Sequence, residues 1–179
     1  MGESPTSDCK KNRIKAGRNA SPSYGIIDSQ SVKTIYASED RGIDGGKKVK
    51  GRKRHIVVDT MGNLLSVVVH AANIHDTKSG IDPALEAFFW YPTIKKFCGD
   101  EGYRKSFEED VLEQLGLHVD ISERISPKFV VIQKRWVVER TFAWMGHSRR
   151  LSKDYEISVD SAETMVKISH LHTLLRRCK

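Results

Sequence analysis

Arg54-His-Ile-Val-Val-Asp-Thr-Met-Gly-Asn-Leu-Leu-Ser-Val-Val-Val-His-Ala71 reads as a β-hairpin. Two apolar, β-branched runs, 54–59 and 64–71, flank Thr60-Met-Gly-Asn63, whose Gly and Asn form turns. Upstream, Gly25-Ile-Ile-Asp-Ser-Gln-Ser-Val-Lys-Thr34 reads as a strand, with order beginning at Tyr24. Period-two alternation sets Ile26, Asp28, Gln30 and Val32 on one face and Ile27, Ser29 and Ser31 on the other. This strand and the hairpin make a three-stranded antiparallel meander. The polar, glycine-rich stretch 36–51 between them reads as a loop.

Helices and strands alternate after the hairpin. Asp76 is placed to cap a helix running through Ile81, Leu85, Phe88 and Phe89, with Pro83 loosening its start. Residues 93–99 form a short strand ending at Asp100, broken by Glu101-Gly102. A helix over 106–115 stops at Gly116, and 118–121 reads as a fifth strand. Beyond Pro127 and an apolar run over 129–132, Gln133-Lys-Arg-Trp-Val-Val-Glu-Arg-Thr-Phe-Ala-Trp-Met145 reads as a helix, with no Gly or Pro until Gly146. A last helix spans 161–177, with Glu163 near its start and Arg176 and Arg177 at its end. A meander followed by this alternation predicts an α/β fold, a mixed sheet with helices on both faces. Residues 1–23, rich in Ser, Pro, Gly, Asn and Lys, read as a flexible basic leader. Residues 24–179 then form one domain.

The 179 residues are enough for a full core, and 39% are hydrophobic, as in a soluble globular protein. No apolar run approaches the ~20 residues of a membrane helix, and the N-terminus lacks a signal-peptide core. Cys9, Cys98 and Cys178 are isolated, with neither zinc spacing nor a disulfide framework, which points to a reducing cytoplasm. Thirty Lys and Arg against 23 Asp and Glu leave a charge of +7. The excess is clustered. Lys47, Lys48, Lys50, Arg52, Lys53 and Arg54 form one block with no acid inside it. Others are Lys10, Lys11, Arg13, Lys15 and Arg18, and the C-terminal Arg176, Arg177 and Lys179. Clustering favours a polyanionic partner, nucleic acid, over a merely solvated surface.

The acids suggest chemistry. On its helix Glu139 has Trp136, Phe142 and Ala143 as neighbours, so it is expected to face inward. An inward carboxylate needs a cation. Arg135, one turn earlier, is one candidate; a metal ion shared with other carboxylates is the second. Asp28 lies in the first strand and Asp100 ends the fourth, and a mixed sheet can set these strands side by side. Three carboxylates would then converge, a repulsion that two divalent ions ~4 Å apart relieve while clamping a phosphodiester. Hard oxygen ligands favour magnesium or manganese over zinc. Each residue also has a plainer reading. Asp28 could cap its strand, Asp100 and Asp59 could form turns, and Asp76 could cap a helix. His70 and His75 read as structural, and Trp136 and Trp144 as core.

Four motifs occur together and in order: Ile27-Asp-Ser-Gln-Ser-Val-Lys33, Gly45-Gly-Lys-Lys-Val-Lys-Gly-Arg-Lys-Arg-His55, Gly99-Asp-Glu-Gly-Tyr-Arg104 and Arg135-Trp-Val-Val-Glu-Arg-Thr-Phe-Ala-Trp144. With them the chain resembles bacterial insertion-sequence transposases of the DDE class, in the group named for insertion sequence five, from about Gly17 onward. The resemblance implies a ribonuclease H-like fold. It implies that Asp28, Asp100 and Glu139 are the catalytic, metal-binding triad for two Mg2+ or Mn2+ ions. It implies cleavage and strand transfer on double-stranded DNA, at terminal inverted repeats and a target, by a homo-oligomer in the bacterial cytoplasm and nucleoid. Lys47, Lys48, Lys50, Arg52, Lys53 and Arg54, with Arg104, Arg135, Arg140, Arg149 and Arg150, would neutralise the DNA backbone. A nuclease without joining activity and a non-catalytic DNA-binding remnant are the alternatives.

The chain departs from the family pattern in two respects. The third motif carries Ile132 where the family has Tyr and Gly146 where it has Lys, with Arg149 and Arg150 one turn further on. Relatives also carry a helical N-terminal region that recognises inverted repeats. Here only the basic leader precedes the core, as expected of the second half of a transposase, either the downstream reading frame of a frameshifted pair or a truncated remnant.

Overall fold

The structure, a computed structural model, describes residues 6–122 and 133–177. The described strands are β1 (Tyr24–Lys33), β2 (Gly42–Asp44), β3 (Val49–Val58), β4 (Leu64–Ala71), β5 (Lys96–Asp100) and β6 (His118–Ser122). The helices are α1 (Thr6–Lys15), α2 (Asp76–Ser79), α3 (Ile81–Trp90), α4 (Ser106–Leu115), α5 (Gln133–Gly146) and α6 (Val159–Arg177).

The hairpin forms as its pattern predicts. β3 pairs antiparallel with β1 on one edge and with β4 on the other, and Gly62 takes the positive φ of 82° that the connecting turn requires. β5 then joins β1 in parallel, and β6 joins β5 in parallel. The sheet is mixed, as expected. The stretch read as a loop holds a strand, because β2 pairs Ile43 with Lys50 and extends the outer edge of β3.

The two faces carry separate cores. Ile26, Ile56, Val58, Val67 and Val69 face α5 and α6, meeting Val138, Phe142, Met145 and Val166. Ile27, Val57, Leu65 and Phe97 face α3 and α4, meeting Ala84, Ala87, Phe107 and Val111. With helices on both sides, neighbouring residues of β3 are buried whichever way they point. The helix expected from Asp76 onward is split into α2 and α3. Pro83 has no N–H to donate to the Ser79 carbonyl, so one helix cannot run through.

The leader is a larger departure, because residues 6–15 are helical. Cys9, Asn12 and Arg13 are buried. Arg13 Nη1 lies 2.6 Å from Asp59 Oδ2, and Asn12 donates to Asn63. Composition weighs apolar residues, whereas this helix is fixed to the hairpin turn through polar ones. Among the described residues no helix is long and apolar enough to cross a membrane.

Candidate active site

Asp28 and Asp100 are brought together by register. β1 and β5 run parallel with Ile26 beside Cys98. Two residues on, along both strands, stand Asp28 and Asp100, and the period of two keeps them on one face. Asp28 Oδ1 accepts from the Ser29 N–H at 2.7 Å. Asp100 ends its strand and caps a short 3-10 turn (Glu101–Tyr103), its Oδ1 accepting from the Gly102 N–H at 2.9 Å. A small pocket opens here, lined by Ile26, Asp28, Cys98, Asp100, Ser122 and Arg135. Burial pushes the Asp28 carboxyl up to about 7, and the Asp100 charge adds to the rise. The Ser29 N–H, Arg135 and Lys47 act in the opposite direction.

Glu139 approaches from α5 but faces outward. Its side chain is 53% exposed, contrary to the inward orientation expected from Trp136, Phe142 and Ala143. The buried stripe of α5 is Val137, Val138, Thr141, Phe142 and Met145, which leaves Glu139 on its shoulder. Arg135 spans the gap. Its Nε lies 3.1 Å from Glu139 Oε1 and its Nη2 3.5 Å from Asp100 Oδ2. Of the two partners expected for Glu139, the structure shows the arginine: Arg135 pairs with both Glu139 and Asp100. Among the described residues no three His, Cys, Asp or Glu groups are gathered tightly enough to hold one ion. Trp136, expected in the core, is 45% exposed. It and Trp144 sandwich the Arg140 guanidinium, 4.5 Å from each ring.

The basic block divides in two. Lys47, Lys48 and Lys50 are exposed on and beside the β2–β3 turn, where Asp44 accepts from the Lys47 N–H at 3.0 Å. Arg52, Lys53 and Arg54 lie inside the protein, which corrects their assignment to DNA. Arg52 reaches Asp154 and the carbonyls of Glu39, Glu156, Ile157 and Ser158. Arg54 donates to the carbonyls of Leu151 and Lys153. Lys53 Nζ lies 2.8 Å from Asp76 Oδ1. Charge density alone could not separate the halves; the entry of the block into a doubly covered strand does. Arg104, Arg149 and Arg150 are exposed, and Arg150 pairs with Glu156 at 2.9 Å. The departure at Ile132, Pro127 and the apolar run over 129–132 lie outside the described residues.

Residues 19–174 match the family model described as a transposase DDE domain. The chain belongs to the DDE transposase family. A Burkholderia cepacia protein described as "Putative transposase for insertion sequence element IS402" is 31% identical over 130 residues, 66% of this chain and 60% of that protein. This transposase chain thus spans less than two thirds of the curated relative it matches. Among solved structures it resembles the catalytic core domain of BIV integrase, at 13% identity and a TM-score of 0.53, over 87% of this chain and 95% of that one. It also resembles a chain of the simian T-cell lymphotropic virus intasome in complex with PP2A regulatory subunit B56 gamma. That match has 15% identity and a TM-score of 0.54, over 82% of this chain and 47% of the other. These likenesses show the fold, which is ribonuclease H-like as the resemblance implied.

Sequence reasoning missed the polar layer beneath this candidate site, on the opposite face of the sheet from Asp28. Asp76 does not cap a helix there; His75 holds the N-cap position of α2. Asp76 instead accepts from Ser29 Oγ at 2.9 Å as well as from Lys53. His55 is fully buried and bonds His70 and Tyr103. The available signal was a His at the point where a basic run passes into the apolar Ile56-Val57-Val58.

Proposed function

We propose that the chain is the catalytic domain of an insertion-sequence transposase that cuts and joins DNA phosphodiesters with divalent metal ions, Mg2+ or Mn2+. The observation that carries this reading is the pair Asp28 and Asp100, level on one face, with Arg135 and Glu139 beside them. The donor set fits a hard cation. Two carboxylates share a half-buried pocket, and one of them is held toward its neutral form by burial and by the other's charge. Two such ions, when bound, supply positive charge to the attacking and leaving oxygens of an in-line displacement.

The protein's own groups do the rest. Asp28 and Asp100, each fixed by a backbone N–H, would offer carboxylate oxygens to the ions from adjacent strands. Arg135 keeps Glu139 close and places a positive charge beside Asp100. Its pairs, roughly a quarter to a half exposed, are worth about 0–1 kcal/mol, so Glu139 would be available as a third carboxylate for an ion at little cost. Lys47, Lys48, Lys50 and Arg104 lie on the exposed rim and contact phosphates of double-stranded DNA without reading sequence. Incubation with a labelled DNA bearing a free 3′-hydroxyl, a plasmid target and Mn2+ tests the reading. Joined product is expected. Nicking without joining would reassign the domain to a nuclease, and DNA binding with neither would make it a non-catalytic remnant.

A further inference from the structure

Tyr103 follows Asp100 by three residues and is almost completely buried. Its ring lies against Gly99, where a Cβ would stand 2.9 Å from it, and edge-on to Phe107. Packing would be equally served by phenylalanine. The hydroxyl needs a separate reason, because an unpaired buried O–H is costly. That reason is His55 Nε2, with which the hydroxyl makes a short hydrogen bond.

The direction of that bond follows from its neighbours. His70 Nδ1 lies 3.0 Å from the Ala71 carbonyl, which only accepts, so His70 carries its proton on Nδ1. The neutral ring then offers Nε2 as an acceptor, and His55 Nδ1, 3.1 Å away, must donate to it. Ser79 Oγ agrees: it donates to the His75 carbonyl, leaving its oxygen lone pairs facing His55 Nδ1. With Nδ1 protonated, His55 Nε2 is an acceptor, and Tyr103 must be the donor. One ordered chain results, from Tyr103 O–H through His55 and His70 to the Ala71 carbonyl. Ser29 lies beside the Tyr103 hydroxyl and Ser79 beside His55 Nδ1, so each end of the His55 ring has a further polar neighbour. The members of this hydrogen-bonded chain come from the turn after β5, from β3 and from β4. His55 is also the direct cross-strand partner of Ser29, the residue after Asp28.

We propose that Tyr103 is a positioning residue whose hydroxyl, donating to His55, pins the 101–103 turn to the sheet and so holds the Asp100 carboxylate level with Asp28. The inference rests on the reading of these aspartates as the ion-holding pair. The turn leaves β5 at Asp100, and the Gly102 N–H fixes one oxygen of that carboxylate. A turn free to lift from β3 would swing the carboxylate with it. Outer partners of this kind change metal affinity by about 10–100-fold when removed.

The test uses Tyr103→Phe, His55→Leu and His55→Gln. Glutamine keeps a carbonyl oxygen near the Nε2 position, so it can still accept from Tyr103 while losing the link to His70. Two quantities are read: amide hydrogen exchange at Gly102, and Mn2+ binding by calorimetry. We expect Tyr103→Phe and His55→Leu to speed Gly102 exchange and weaken Mn2+ binding about tenfold. His55→Gln should restore both toward wild type, which a merely space-filling role for His55 would not produce. Wild-type exchange at Gly102 in Tyr103→Phe overturns the proposal. Absence of Mn2+ binding in the wild type counts against the ion-pair reading instead, and Gly102 exchange then decides the anchor by itself.

Discussion

Asp28 and Asp100 stand level on neighbouring parallel strands, two residues beyond the paired Ile26 and Cys98, with burial raising the Asp28 pKa to about 7. The ordinary value is 3.8. Between those two values the folded protein holds a proton that the unfolded chain has released. Stability therefore falls as pH rises through this window and stays low above it. Asp28→Asn removes the effect. Chemical denaturation at pH 8 should find the variant more stable by about 1–2 kcal/mol, with the difference vanishing near pH 4. Equal stability at both pH values would show that the carboxylate is not held against ionisation.

Excess Mg2+ should reverse that order. A ligand that binds only the folded state stabilises it by about 2.7 kcal/mol at a hundred times its Kd. The wild type should gain melting temperature with added Mg2+ and Asp28→Asn should not.

The exposed lysines and the buried arginines should respond to different assays. Lys47→Ala combined with Lys48→Ala should weaken binding to any duplex and lower the salt-dependence slope by about 1 for each phosphate no longer neutralised, with thermal stability unchanged. A double variant that binds like the wild type would remove the β2–β3 turn from the DNA surface.

Arg52→Ala should act on folding. It leaves Asp154 as a buried carboxylate without its cation and several carbonyls without a donor. The loss should be about 3–5 kcal/mol in denaturant unfolding. A stable Arg52→Ala protein with weakened DNA binding would return this residue to the interface.

The buried histidines set an acid limit. Burial pushes the His55 pKa down to about 3 and lowers that of His70. An unfolded histidine takes up its proton near pH 6.5, so below that value the unfolded state binds more protons and stability falls toward pH 3. His55→Gln should flatten this part of the stability profile, while Asp28→Asn should steepen it, because the Asp28 contribution runs the other way over the same pH range. Acid unfolding curves of the variants separate the two contributions.

The α/β alternation and the hairpin were legible because each rests on local periodicity or turn chemistry, whereas the element order only allowed the long-range pairing of β1 with β5. Ser106–Leu115 and its Gly116 stop appear as read. Three features were not legible, for different physical reasons. The direction of Glu139 depends on which side of α5 meets the sheet, and a three-residue neighbourhood does not determine that. Burial of Arg52 and Arg54 depends on elements more than 90 residues away, whose carbonyls receive the guanidinium groups. Helix α1 is held by the Arg13–Asp59 pair, which carries no apolar signature.

The most direct measurement is calorimetric titration of the full chain with Mn2+, wild type beside Asp28→Asn. Saturable binding by the wild type and its loss in the variant are expected, with both proteins folded by circular dichroism. Equal binding by the two would place any ion away from Asp28 and contradict the assignment of the Asp28–Asp100 pair as its holder.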